Sequence, residues 1–208
     1  MRRAIVTTAA AIVLTTLVAS AAGCGGAAAT GTPPTVHAQA SGSSPAAVRS
    51  QAPAEQAPAE QAEMYAQVLR RYLSTPAENS FPGQPFTTVY VIDKAYPDAA
   101  DPMGTHGPGT PITPQVQRQV TAALAGTAHV TFIADRESVI ATTDGCWHVR
   151  NGGILITLGS PAAHGAEMRV GINGSVACLG ATWLTYVLRD QPGAGWRVTG
   201  TTGTMAVA

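Results

Sequence analysis

The sequence predicts an α+β fold in which one or two N-terminal helices pack on a curved antiparallel sheet. Residues 63–73 carry apolar side chains at helical spacing, which indicates an amphipathic helix. From His129 onward the chain consists of short runs rich in β-branched and aromatic residues, and Gly, Pro and Asn separate these runs. Packing the helix stripe on one sheet face is the simplest arrangement that buries both apolar surfaces.

The first helix is predicted over EMYAQVLRRYL, residues 63–73. Pro76 indicates that it ends near Ser74, because the residue before a proline disfavours helical backbone. Arg70 and Arg71 fall outside the apolar stripe and are expected in solvent. The stripe recurs at intervals of three and four residues and consists of Tyr65, Val68, Leu69, Tyr72 and Leu73.

TTVYVID, residues 87–93, has the composition of a strand. A second helix is predicted to begin after Thr113, which suits the N-cap position and is followed by Pro114 at the first helical position. Gly126 is the expected stop. The buried face of this helix is predicted to consist of Val116, Val120, Ala123 and Leu124.

The remaining chain is predicted to form an antiparallel meander. CWHVR and ILITLG flank Asn151-Gly152-Gly153, and Asn-Gly between two apolar runs predicts a hairpin turn. The other predicted strands are HVTFIAD, EMRVGIN, ATWLTYVLRD and GWRVTG, with TMAVA as a further candidate.

Residues 1–23 have the layout of a secretory signal peptide: Arg2 and Arg3 precede an uncharged apolar segment, and small residues follow it. Ala21-Ala22-Gly23-Cys24 resembles the bacterial lipobox, which directs lipid onto the cysteine and cleavage before it. The resemblance implies that Cys24 is the lipidated N-terminus of a protein held at the extracytoplasmic face of the cell membrane. An uncleaved anchor or ordinary secretion is the alternative, since about 20 apolar residues span a bilayer.

Residues 24–62 predict a disordered tether, because they contain few large apolar residues that could repay the entropy cost of ordering. They include two copies of APAEQ, at 52–56 and 57–61, which are too short for a solenoid. The globular domain is predicted over residues 63–208, a typical size for one domain.

The charge balance argues against a nucleic-acid partner. The chain has 12 basic and 12 acidic residues, and removal of Arg2 and Arg3 with the signal peptide leaves 10 basic residues. No basic patch of the kind that neutralises many phosphates is visible. Lys94 is the one lysine among the basic residues.

The stretch DGCWH, residues 144–148, brings together the residue types that carry chemistry. On a strand, Asp144, Cys146 and His148 share one face and Trp147 lies on the other. Same-face neighbours are about 6.6 Å apart along a strand, whereas a nucleophile and its base need about 2.6–3.2 Å, which weakens a catalytic thiol. A metal site that adds Cys178 lacks the usual paired-ligand spacing. An oxidising compartment favours a Cys146–Cys178 disulfide. We expect no metal and no cofactor, and the roles of Asp144 and His148 stay open.

Two further segments are weighed for function. The loop 94–112 is long for a compact domain, and such loops are either functional or loose. It holds Asp98, Asp101 and His106 but matches neither a phosphate loop nor a calcium loop, so it is predicted to be a mobile surface loop, with a binding loop as the alternative. Residues 135–137, Asp-Arg-Glu, are predicted to be a solvated turn.

The order of elements, with the pattern GILITLG…YVLRD…GWRV, resembles the cystatin-like and NTF2-like folds and uncharacterised actinobacterial surface lipoproteins. The resemblance implies no single activity, because the NTF2-like fold hosts enzymes, ligand binders and interaction modules. We expect a lipid-anchored surface protein that binds or scaffolds, with a protein partner at the cell surface and without catalysis. The alternative is a small-ligand carrier or NTF2-like pocket enzyme whose pocket between helix and sheet is lined by Tyr90, Asp93, Trp183 and Tyr186.

Overall fold

The structure is a computed structural model that describes residues 58–81, 83 and 85–208. The predicted signal peptide, the predicted lipidation site Cys24 and most of the predicted tether lie outside the described residues. The described part combines a large sheet with a few helices, which confirms the predicted α+β class. None of the described helices is long and apolar enough to cross a membrane.

Helices precede most of the strands along the described chain. The helices are α1 (Pro58–Ser74), α2 (Pro76–Asn79) and α3 (Pro114–Leu124). The strands are β1 (Thr88–Ala95), β2 (Thr110–Pro111), β3 (His129–Ile133), β4 (Ile140–Thr143), β5 (Cys146–Val149), β6 (Ile154–Leu158), β7 (Ala162–His164), β8 (Glu167–Ser175), β9 (Ala181–Gln191) and β10 (Gly195–Val207). Short 3-10 turns cover Arg136–Ser138 and Arg150–Gly152.

The main sheet is mixed, so the prediction of a wholly antiparallel sheet is wrong. Its strands lie in the order β3-β1-β6-β8-β9-β10, with β2 paired to β1 and β7 paired to β8. β1 runs parallel to both β3 and β6, whereas β8, β9 and β10 form the antiparallel part. The helix α3 connects β1 to β3, and such a crossover returns the chain to the same end of the sheet.

The predicted hairpin at Asn151-Gly152 is also wrong. β5 pairs with β4 in a separate two-stranded sheet, and the register Thr143↔Cys146 leaves Asp144 and Gly145 as the turn. Both turn residues have positive φ, 52° and 80°, as a tight Asp-Gly hairpin turn requires. Asn151 and Gly152 instead form the turn that leads from β5 into β6 of the main sheet.

The main core lies between the sheet and the pair of helices α1 and α3. Four of the five side chains predicted for the α1 stripe are completely buried, and Leu73 is partly buried against them. Opposite them lie side chains from every second position of the strands. Those that are completely buried include Val89, Val91, Ile154, Ile156, Val170, Ile172, Tyr186 and Leu188.

The prediction that the tether extends to residue 62 is wrong, because α1 already begins at Pro58. Proline suits the first turn of a helix, and Glu60 in the same turn interacts favourably with the helix dipole. Ala62 is only 3% exposed in the main core. The small side chains that suggested disorder therefore allow close packing at the start of this helix.

The second predicted helix begins where the sequence indicated. The Thr113 side chain accepts a hydrogen bond from the Val116 backbone N–H, and Pro114 follows the cap. The helix ends at Leu124. Ala123 was predicted on its buried face but is exposed, and its carbonyl oxygen accepts a hydrogen bond from Arg70.

A smaller apolar cluster lies on the other face of the sheet. Side chains alternate between the two faces of a strand, so Ile92 and Leu155 point away from α1 and α3. They contact Val139, which precedes β4, and Val149, which ends β5. Trp147 packs against this group. The β4–β5 hairpin thus covers part of the sheet face that the helices leave open.

Candidate functional site

A cleft of about 410 Å³ opens on the sheet face opposite to α1 and α3. One wall is the segment after β1, with Tyr96 and residues 106–109. The other wall consists of residues 134–136 and Trp147. The floor is formed by side chains of β1, β6 and β8, namely Ile92, Lys94, Leu155, Thr157, Asn173 and Ser175.

The first wall is held by packing around Tyr96. His106 Nδ1 lies 3.1 Å from Asp98 Oδ1, and the imidazole ring lies against the Tyr96 ring with 5.2 Å between centroids. A Cβ atom at Gly109 would lie 2.7 Å from Tyr96 Cε1, so glycine is required for this close approach. The long loop whose role the sequence left undecided therefore lines the cleft.

The second wall joins an arginine to an aromatic ring. The guanidinium carbon of Arg136 lies 5.0 Å from the centre of the Trp147 ring, a cation–π contact. Arg136 begins a 3-10 turn whose cap is Asp135, and the Asp135 carboxylate accepts a 2.9 Å hydrogen bond from the Glu137 N–H. The predicted solvated turn is exposed, but it also places Arg136 at the cleft.

The floor of the cleft mixes apolar and polar groups. Ile92 and Leu155 belong to the smaller apolar cluster. Asn173 donates a 3.0 Å hydrogen bond to the Thr182 carbonyl, and its own side-chain oxygen accepts from the Ser175 hydroxyl at 3.2 Å. These bonds fix the two side chains. Ser175 is only 8% exposed, so the partly exposed Asn173 and Thr157 are the polar floor residues that a ligand meets first.

The predicted disulfide between Cys146 and Cys178 is confirmed, with 5.6 Å between the two Cα atoms. It ties β5 to the segment before β9, and backbone bonds reinforce this connection. Trp147 accepts at its carbonyl from the Cys178 N–H at 2.9 Å, and the Val149 N–H donates to Val176 at 2.8 Å. Because Trp147 lies on β5, the disulfide and these bonds hold one wall of the cleft in place.

The stretch DGCWH does not form one cluster of side chains. Asp144 lies in the hairpin turn rather than on the strand, so it does not share a face with the other two residues. His148 lines a separate shallow pocket of about 370 Å³ with Phe81 and Phe86. Trp147, which alternates with Cys146 and His148, is the residue of this stretch that lines the cleft.

The structure does not bring together the four residues predicted to line a pocket. β6 and β8 lie between β1 and β9, so the first two residues are separated from the last two by about 14 Å of sheet. Alternation along the strands also divides them between the two faces. Asp93 and Tyr186 face the helices, whereas Tyr90 and Trp183 face the other side.

Tyr186 belongs to a hydrogen-bond network that runs from the main core to the half-exposed Arg71 at the surface. Its hydroxyl donates to a carboxylate oxygen of Glu78 at 2.8 Å, and Arg71 donates to the same carboxylate. Burial, followed by the bond to Glu78, raises the pKa of Tyr186 well above its ordinary value. Burial by itself raises the pKa of Glu78, but the hydrogen bonds from Arg71 and Tyr186 outweigh it and hold that pKa below its ordinary value.

Sequence reasoning missed most of the residues that line the cleft. Lys94 was noticed as the one lysine, and Arg136 and Trp147 were assigned to a solvated turn and to strand packing. Asn173 and Ser175 were not singled out. A usable signal was the alternation along β8, where apolar Val170 and Ile172 occupy one face and polar Asn173 and Ser175 occupy the other.

Among the residues that the structure describes, no group of three or more His, Cys, Asp or Glu side chains could hold a metal ion. No protein family model matches the chain, and neither a curated protein nor a solved structure matches it.

Proposed function

We propose that this chain is an extracytoplasmic, lipid-anchored binding module that holds a small polar ligand in the cleft without converting it. The observation that carries the proposal is the cleft itself, where fixed polar side chains of β8 lie beside an apolar floor and between two aromatic walls. Small-molecule sites combine apolar and aromatic lining with a few placed polar groups in this way, and they measure about 300–1,000 Å³.

The ligand site is proposed for the open sheet face rather than for the space between helices and sheet. The helix-side positions are occupied by completely buried side chains such as Tyr65, Leu69 and Ile156. Tyr186, which an interior pocket would have used, is wholly buried and bonded to Glu78. The cleft, in contrast, is open to solvent, with Lys94 and Arg136 exposed and Thr157 and Asn173 partly exposed.

The proposed location rests on the sequence of residues 1–24 and on the disulfide. The lipobox-like run before Cys24 supports lipid attachment at the outer face of the cell membrane. The Cys146–Cys178 disulfide supports an oxidising compartment, since cytosolic thiols are kept reduced. A resemblance to the cystatin-like and NTF2-like folds remains part of the proposal for α1 and the antiparallel strands β8 to β10, and the parallel pairs of β1 depart from it.

Ligand binding is tested by ligand-observed NMR with the full-length protein in detergent micelles. The library contains monosaccharides, amino acids, nucleosides and dipeptides. We expect at least one class to give saturation-transfer signals that disappear in Thr157→Trp, which fills the cleft floor, and persist in Thr204→Trp, which changes an exposed residue of β10.

Two results would overturn this proposal. Binding that is unaffected by Thr157→Trp would place the ligand elsewhere, and a library without any binder would remove the function. Chemical conversion of a bound ligand would contradict the non-catalytic part and favour the pocket-enzyme alternative. The thermal unfolding of Thr157→Trp is recorded beside these data, because lost binding counts only for a folded variant.

Lipid attachment is tested separately by growth of a bacterial host with alkyne-tagged palmitate. We expect the label on the wild-type chain and on Cys178→Ser, and no label on Cys24→Ala. Full retention of Cys24→Ala in the detergent-extracted membrane fraction would contradict the lipidated anchor.

A further inference from the structure

We infer that the cleft selects a sugar that carries one oxyanion group, either a carboxylate or a phosphate. The inference rests on the proposed function and adds the ligand class. Three features of the cleft support it: two cationic side chains for one carboxylate in the lining, an arginine in contact with an aromatic ring, and a floor suited to hydroxyl groups.

The residues that line the cleft include two cations, Lys94 and Arg136, and one carboxylate, Asp135. Lys94 forms no ion pair with any residue that the structure describes. Arg136 lies 3.6 Å from a Glu137 oxygen, but both side chains are about half exposed or more, so water and salt screen this pair. The Asp135 carboxylate accepts a hydrogen bond from the Glu137 N–H, which fixes its position, and the lining still has two cations for one carboxylate.

The contact between Arg136 and the Trp147 ring suits the guanidinium to an oxyanion. Its Nε lies near Glu137, whereas its two terminal nitrogens, which can donate a parallel pair of hydrogen bonds, have no partner among the described residues. Carboxylates and phosphates accept such pairs of bonds with matching geometry. Lys94, which lines the same cleft from β1, adds a second positive charge without a fixed direction. Two cations suit a ligand with one anionic group better than a polyanion.

The floor suits a sugar ring. Its polar side chains, Thr157, Asn173 and Ser175, lie beside Ile92 and Leu155. A sugar presents both hydroxyl groups and apolar C–H surface, so it can match the two kinds of lining at once. An isolated inorganic anion would use the cations and leave this floor without contact.

The selectivity is tested by titration calorimetry of the full-length protein with glucose, glucuronate and glucose 6-phosphate at low ionic strength. We expect glucuronate, glucose 6-phosphate or both to bind at least about tenfold more tightly than glucose, the usual scale for charge-assisted hydrogen bonds. The ratio between the two acids separates a carboxylate ligand from a phosphate ligand. Inorganic phosphate is expected to bind more weakly than the acid that binds more tightly, because it leaves the floor without contact.

Three variants localise the effect. Arg136→Gln and Lys94→Gln should each reduce the preference over glucose by about tenfold, and Arg136→Lys should recover only part of it because lysine cannot donate a planar pair of bonds. Arg118→Gln, an exposed arginine on α3 at the other sheet face, is the matched control and should keep the full preference.

Equal binding of glucose and both acids would overturn the inference while leaving a sugar-binding cleft intact. Absence of binding by both acids would overturn it as well, and the library screen then decides the proposed function alone. An equal loss in Arg118→Gln would show that general charge, rather than the cleft, attracts the acid.

Discussion

Loss of the Cys146–Cys178 disulfide should lower the stability of the domain substantially. The bond joins residues separated by 32 positions, so its removal frees a loop of that length in the unfolded chain. The loop-entropy relation gives a loss of about 3.5–4 kcal/mol in the free energy of unfolding. For a domain of this size about 1 kcal/mol corresponds to 2–4 °C, so the melting temperature should fall by about 7–16 °C.

The assay is thermal unfolding of the wild type and of the Cys146→Ser/Cys178→Ser double variant, followed by circular dichroism. The backbone bonds between Trp147 and Cys178 and between Val149 and Val176 remain in the variant, so we expect a cooperative transition at the lower temperature. Reducing agent should lower the melting temperature of the wild type to that of the double variant and leave the melting temperature of the double variant unchanged.

The result that would refute this reasoning is a melting temperature of the double variant within about 2 °C of the wild type, well below the scale expected for a constrained loop of this length. Titration of two free thiols in the unreduced wild-type domain would contradict the bond itself. Either outcome would also remove the disulfide as the support of the Trp147 wall.

Three further predictions concern the main core. Tyr186→Phe removes the hydroxyl that donates to Glu78, and urea unfolding should show a loss of about 1–2 kcal/mol; an unchanged midpoint would contradict the role of this bond. Because the pKa of Glu78 is lowered on folding, its contribution to stability is complete above its ordinary pKa of 4.5 and is lost as the pH falls through the folded-state pKa. The difference in unfolding free energy between wild type and Glu78→Gln should therefore shrink from pH 6 towards pH 3, and a constant difference would argue against the shift. Gly174→Ala places a methyl group against the Tyr72 hydroxyl and should cost about 1–3 kcal/mol, whereas Gly200→Ala has no neighbour within 4 Å and should cost less; equal costs would refute the steric argument.

Elements with a strong local signal could be predicted from the sequence. The apolar stripe of α1 and the Thr113 cap of α3 depend on neighbouring residues, and both appear where periodicity and capping place them. The disulfide could be predicted because the chain has three cysteines and the lipobox-like run assigns Cys24 to lipid. In the predicted oxidising compartment, Cys146 and Cys178 are then the one pair that can form a bond. In each case the deciding information lies within a few residues or in the composition.

Features that depend on the partner of a strand could not be predicted in the same way. Asp144-Gly145 and Asn151-Gly152 have equivalent turn chemistry, and only the tertiary fold decides that the first closes the hairpin. β3 has the composition of an antiparallel strand, but the crossover through α3 makes it parallel to β1. The start of α1 was missed because Ala62 is small, although its burial in the core orders the chain there.

The cleft was missed for a related reason. Lys94, Arg136, Trp147 and Asn173 are far apart in the sequence and meet because β1, β6 and β8 are neighbours in the sheet. No local motif marks such a site. The stretch DGCWH does line the cleft, but through Trp147. The Cys146 thiol is in the disulfide, and the His148 imidazole lines a separate pocket.

The central claim is that the cleft beside Trp147 binds an acidic sugar, and selective ¹⁵N labelling of tryptophan tests it most directly. The chain has three tryptophans, so the spectrum of the full-length protein contains three indole N–H signals, of which Trp147→Phe identifies one. Titration with glucuronate or glucose 6-phosphate should shift the Trp147 signal most, because Trp147 lines the cleft. Trp196, which packs against the main core, should stay in place, and Trp183, the cross-strand partner of Asn173, should shift less than Trp147. A Trp147 signal that both acids leave unmoved, or a larger shift at Trp183 or Trp196, would contradict the claim.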